Sequence, residues 1–205
     1  MFKRRTPKTW NGWIKAQLDP GGFLRAMRYQ WHRLRRLPDP PQRIARGIFA
    51  GTFVNFPPIF GFQLPAAALL AYALRGNILA AVLATLLSNP VTTPIIAIVS
   101  LHLGHWMLGS PDAISLTATF AAFAAAGADL WYNLNAVFTA KTAHWDGLIL
   151  FWQRIYLPYL VGSILPGLVT STLLAWLTIP IVTAYQALRK RRMQTRAAER
   201  KAPPP

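Results

Sequence analysis

Two long uncharged stretches dominate the pattern of apolar and polar positions. Residues 47–74 hold no charged side chain, and neither do residues 76–111, whose apolar core runs from Ile78 to Leu108. Crossing the hydrocarbon of a bilayer takes roughly 20 apolar residues, so each stretch is long enough. Each is nevertheless interrupted near its middle, by Phe56-Pro57-Pro58 in the first and by Ser88-Asn89-Pro90 through Pro94 in the second. Proline removes a backbone donor and disfavours helix at the residue before it. The pieces 47–56 and 78–87 are each roughly 15 Å long as helix, about half a bilayer. Non-helical backbone at membrane depth persists only inside protein or beside water. The pattern therefore predicts two broken, re-entrant segments, 47–74 and 78–108, around a buried polar point. The simpler alternative is two ordinary transmembrane helices kinked by proline.

The flanking patterns differ. Over residues 23–37, Leu24, Met27, Trp31 and Leu34 follow a helical period while Arg25, Arg28, His32, Arg33, Arg35 and Arg36 fill the remaining arc. That is a basic amphipathic helix, suited either to the headgroup layer with its arginines on anionic lipid or to the protein's own cytoplasmic face. Residues 113–128 are small and uncharged but short for a span, which favours an interfacial helix. Residues 129–147, with Asp129, Asn133, Asn135, His144 and Asp146, read as a non-cytoplasmic loop. Residues 155–188 are an uncharged run, interrupted by Pro158, Pro166 and Pro180, that ends on Arg189-Lys190-Arg191-Arg192; this is the expected C-terminal transmembrane helix.

Charge sharpens the division. Residues 1–46 hold 12 Lys/Arg against Asp19 and Asp39, net +10, and residues 189–205 hold 7 against Glu199, net +6; the two sum to the whole net charge of +16. The body, 47–188, is neutral. Nucleic-acid proteins carry their basic surface on a polar folded domain, whereas cations beside long apolar stretches mark the cytoplasmic side of a membrane protein. No apolar stretch follows the basic residues of 1–13, so no cleavable signal is expected. Both termini are expected in the cytoplasm, and the number of crossings is then even. In one scheme 47–74 returns as a hairpin while 78–108 and 155–188 cross; in the competing one 113–128 makes a further crossing. The tail 189–205 is expected to be disordered.

The polar set within the apolar body is Asn55, Gln63, Arg75, Asn77, Asn89, Thr92 and Thr93. Such groups are costly in hydrocarbon unless paired, so they mark interhelical contacts or a path for a polar ligand. Where the two breaks meet, Asn55, Gln63, Asn89, Thr92 and Thr93 would converge, and helix N-termini starting there would suit a carboxylate or phosphate. Arg75 would complete an anion site or, alternatively, snorkel to lipid phosphate. Gly47 and Gly51, with Asn55 one turn further on, and Gly167, Ser171 and Ala175 in the last run are steps for close helix approach, within the chain or in a homo-oligomer. His102 and His105 stand three apart, but no carboxylate on neighbouring turns completes a metal site. Asp112, Asp129, His144 and Asp146 form no catalytic spacing, and with zero Cys the sequence suggests neither an enzyme, a metal nor a cofactor.

Several stretches together resemble one family. They are Arg4-Arg5-Thr6-Pro7-Lys8, His32-Arg33-Leu34-Arg35-Arg36-Leu37-Pro38-Asp39-Pro40, Gly51-Thr52-Phe53 through Pro57, Pro58 and Gly61, Arg75-Gly76-Asn77, and Asn89-Pro90-Val91-Thr92-Thr93-Pro94. They are similar to the domain-of-unknown-function 2062 family of bacterial inner-membrane proteins. The chain departs from it at Ser88, where Gly is common, and at Gln63, where His is frequent. The resemblance implies a multi-pass protein of the cytoplasmic membrane and no particular activity. The expectation is thus an all-α polytopic membrane protein in three parts: a basic cytoplasmic region (1–46), a membrane domain (47–188) and a basic tail (189–205). It either transports an anionic or lipid-headgroup substrate or acts as a non-transporting scaffold that recruits anionic lipid or a partner through its basic ends, without binding nucleic acid.

Overall fold

The computed structural model describes residues 28, 33, 37, 39–86, 92–109, 115–139 and 142–201. Among them it is all helix and turn, with no strand. The helices are α1 (Pro41–Phe53), α2 (Gln63–Ala73), α3 (Ile78–Thr85), α4 (Thr92–Leu108), α5 (Leu116–Val137), α6 (Asp146–Phe151) and α7 (Leu157–Lys201). A π-helical turn, Trp152–Tyr156, fuses α6 to α7.

The first uncharged stretch is broken into α1 and α2, and the described residues of the second form α3 and α4. Helix α1 starts on Pro41 in its first turn, where a missing N–H costs nothing, and ends before Pro57 and Pro58. Its last turn tightens to bonds from the amides of Asn55 and Phe56 to the carbonyls of Thr52 and Phe53. The chain reverses around Gly61, whose φ of +85° is a left-handed turn conformation, and α2 returns. Helix α2 ends in a pair of bonds from the Gly76 amide to the Ala71 carbonyl and from the Arg75 amide to the Tyr72 carbonyl. This is a Schellman ending, in which the left-handed position normally belongs to glycine. Here Arg75 takes it, at φ +51°, because glycine is needed one residue later. A Cβ on Gly76 would lie 2.8 Å from the Gly47 nitrogen.

Two close crossings assemble the molecule. Gly47 faces Asn77 and Ala80 while Gly51 faces Ala81 and Ala84, so α1 and α3 run parallel with backbones touching. Gly104 faces Pro158 while Gly162 faces Ser100 and Gly104, so α4 and α7 run antiparallel in equally close contact. The α1 glycine step is therefore filled inside the chain. Of the other anticipated step, Gly167 packs on Phe53 and Phe56 of the hairpin. Helix α7 is the common wall: Val182 joins Leu37, Ile44, Ile48, Ala80 and Leu83 in one cluster, and Tyr159 joins Ala97, Leu101 and Ile155 in another. At the tip of the hairpin, Phe60 meets Phe123 of α5 edge-on at 5.3 Å.

Two expected boundaries require correction. Helix α5 does not stop at 128 but continues to Val137, so 129–137 are not loop. Asn133, fully buried, explains the extension: its Nδ2 donates to the His144 carbonyl at 2.7 Å and its Oδ1 accepts the His144 amide at 2.8 Å. The polar residues there form a helical stripe that clamps the following turn. Nor do the prolines interrupt the last run, and the tail is helical through Lys201. Pro158 offers no N–H to the carbonyl of Arg154 four residues back, and His105 Nε2 lies 3.2 Å from that oxygen in its place.

Among the described residues one helical stretch, Asp146–Thr195, is long and apolar enough to cross a membrane, and only 22% of its most apolar window is buried. A core helix of a soluble protein would be mostly covered. The bare apolar surface extends beyond it, to Phe62 and Tyr72, each 73% exposed, and Trp106, 79% exposed.

Candidate functional site

Asn55 sits just past the end of α1 and is buried. Its Nδ2 donates to the Ala84 carbonyl in the last turn of α3, at 3.3 Å. Its Oδ1 has no partner among the described residues, and neither does the hydroxyl of Thr52, one turn earlier and also buried. Two helices thus bring their C-terminal, carbonyl-bearing ends to one place, together with two unsatisfied side-chain oxygens. Each unpaired polar atom costs about 1–3 kcal/mol in such surroundings, so the arrangement is retained at the expense of stability.

The register along α7 shows what else lies at this level. Phe56 is against Gly167. Ser100 is against Gly162 in the antiparallel α4, so Thr92 and Thr93, about eight residues earlier, fall level with roughly residue 170. Both threonines are partly buried, as is Gln63 at the start of α2. The ends of α1 and α3 meet at Asn55, and the start of α4 falls at about the same level along α7. Asn89 lies outside the described residues.

Arg75 and Asn77 do not join this zone. Asn77 is seven residues before Ala84, roughly 10 Å away along α3, and its role is structural. Its Oδ1 accepts the Ala80 amide at 2.6 Å, which caps α3; its Nδ2 donates to the Asp39 carboxylate; and its amide donates to the Arg43 carbonyl at 2.8 Å. Asp39 also pairs with Arg43 at 3.2 Å, and its carbonyl accepts the Gln186 amide at 2.9 Å. Arg75 is exposed at this same end of the bundle. Arg75 and Asn77 thus lie at the other end of α3 from Asn55.

Of the arginines expected on a lipid surface, Arg28 and Arg33 are helical and exposed; Arg25, Arg35 and Arg36 lie outside the described residues. His102 and His105 are each held by their own helix, with Nδ1 facing the carbonyl four residues back at 2.9 Å. Sequence reasoning overlooked Thr52, which belongs to the polar set by the same criterion as Asn55. It also overlooked Asp39 as the residue that ties α1, α3 and α7 together.

Neither the curated proteins nor the solved structures contain a significant match to this chain. The family model described as an uncharacterised protein conserved in bacteria matches residues 24–191. That range takes in both crossings and the zone around Asn55, and the chain belongs to the domain-of-unknown-function 2062 family.

Proposed function

We propose that this chain is a multi-pass protein of the bacterial cytoplasmic membrane that moves a polar solute or lipid headgroup past the zone where its broken helices end. Both termini lie in the cytoplasm, α1 and α2 enter as a re-entrant hairpin, and α3 with α4 crosses opposite α7. Support comes from the exposed apolar flanks together with the cations Arg43, Arg46, Arg75, Arg189 and Lys190 at one end. The observation that carries the transport reading is the pair of unpartnered buried oxygens on Thr52 and Asn55. Both accept hydrogen bonds, and carbonyl ends of two helices add negative dipole, so the solute is one that presents N–H, O–H or positive charge here. The anionic part of a headgroup would instead face the start of α4, at Thr92 and Thr93.

The test is Thr52→Val, with complementation of a deletion strain and thermal unfolding measured on the same variant. Removing an unpaired buried hydroxyl without changing shape is expected to leave stability equal or raise it by about 1 kcal/mol, while function falls. Full function with unchanged stability would remove the site. A scaffold acting through its basic N-terminus would instead tolerate Thr52→Val and fail on charge reversal of Arg28 and Arg33.

A further inference from the structure

At the basic end, the segment leading into α1 and the turns of α7 from Gln186 to Gln194 leave a groove of about 790 Å³ between them. Leu37, Pro40 and Pro41 give the groove an apolar wall, and α7 lines the other side with Arg189, Lys190 and Met193. The carboxylate of Asp39, also at the groove, is engaged by Arg43 and Asn77. Among the described residues it pairs with Arg43 and not with Arg189 or Lys190, so the two cations keep their charge for something else. Leu188 and Met193 are exposed where the uncharged run 155–188 gives way to the basic residues of α7.

We propose that this groove seats an anionic phospholipid, with its phosphate on Arg189 and Lys190 and its glycerol and first acyl carbons on the apolar wall. The complementarity is twofold. Two neighbouring cations attract a phosphate, and a free phosphate would leave the apolar wall unused. The site also lies where headgroups lie if α7 crosses the membrane, so the proposal rests on that part of the functional reading. It is independent of the zone around Asn55.

The experiment compares two charge-matched double variants of the full chain, purified in detergent and titrated with phosphatidylglycerol or phosphatidylcholine under native mass spectrometry. Arg189→Gln with Lys190→Gln removes the groove cations; Arg191→Gln with Arg192→Gln removes neighbours that do not line it. The first pair is expected to lower phosphatidylglycerol affinity about tenfold and the second less than about threefold, with phosphatidylcholine weak throughout. Equal losses from both pairs would mean only diffuse attraction to a basic tail and would overturn the proposal, as would no loss from the first pair. Displacement by millimolar glycerol phosphate would also overturn it, in favour of a soluble phosphate ester. Fractionation of wild-type cells reports separately on the membrane reading: recovery in the soluble fraction would defeat that reading whatever the lipid titration shows.

Discussion

The two ends of α3 are built on opposite principles. At its start, every polar group of Asn77 is used: side-chain oxygen on Ala80, side-chain nitrogen on Asp39, backbone amide on Arg43. At its end, Asn55 reaches across to Ala84 with its nitrogen alone, and its oxygen and the Thr52 hydroxyl are left over. Both regions pair an asparagine with a helix end, in one short helix of eight residues. The saturated end holds α1, α3 and α7 in register. The unsaturated end has spare hydrogen-bonding capacity in a buried place.

Four substitutions break or sharpen that contrast, in order of expected effect. Gly104→Ala tests the scaffold on which both ends depend. The added Cβ would collide with the Pro158 carbonyl and crowd its Cα at 3.1 Å, and helix backbones have nowhere to retreat, so monodisperse protein should be lost in size-exclusion chromatography. Asn77→Ala attacks the saturated end. With a cap and a bond to a carboxylate both gone, about 2 kcal/mol of stability is expected to disappear, measurable as a fall in Tm. The Thr52→Val exchange at the other end should move stability the opposite way, by about 1 kcal/mol. If Asn77→Ala and Thr52→Val both destabilise alike, the distinction between joint and site fails. Arg75→Gly is the smallest. Relieving a left-handed arginine is expected to gain up to about 1 kcal/mol, and a lower Tm would mean that the guanidinium makes contacts worth more than the strain.

Much of this was legible in the residues. The prolines at 57 and 58 end α1 where expected, and Gly47, Gly51 and Asn55 do share a face, the one that meets α3. What misled was reading polar letters as loop and proline as a break. Residues 129–137 are helix because Asn133 clamps a distant turn, and no local pattern announces a partner eleven positions away. Pro158 sits inside a continuous helix because a π-turn and the His105 ring, 49 residues from Arg154, take up the carbonyl it leaves. Gly104 stands alone in its helix and Gly162 is five residues from Gly167, so neither shows the four-residue spacing that flagged Gly47 and Gly51. Arg75 was weighed as a ligand because its charge is conspicuous, while the constraint it answers to is the space reserved for Gly76.

The bond from Gln186 to Asp39 joins positions 147 residues apart, and Val182 closes the cluster around Ile44. The hairpin is synthesised first, yet the wall it leans on emerges last. Until the final helix is made, the apolar face of α1 destined for Val182 must be kept from other partners. A chain that lacks its last apolar turns has therefore also failed to lock its first.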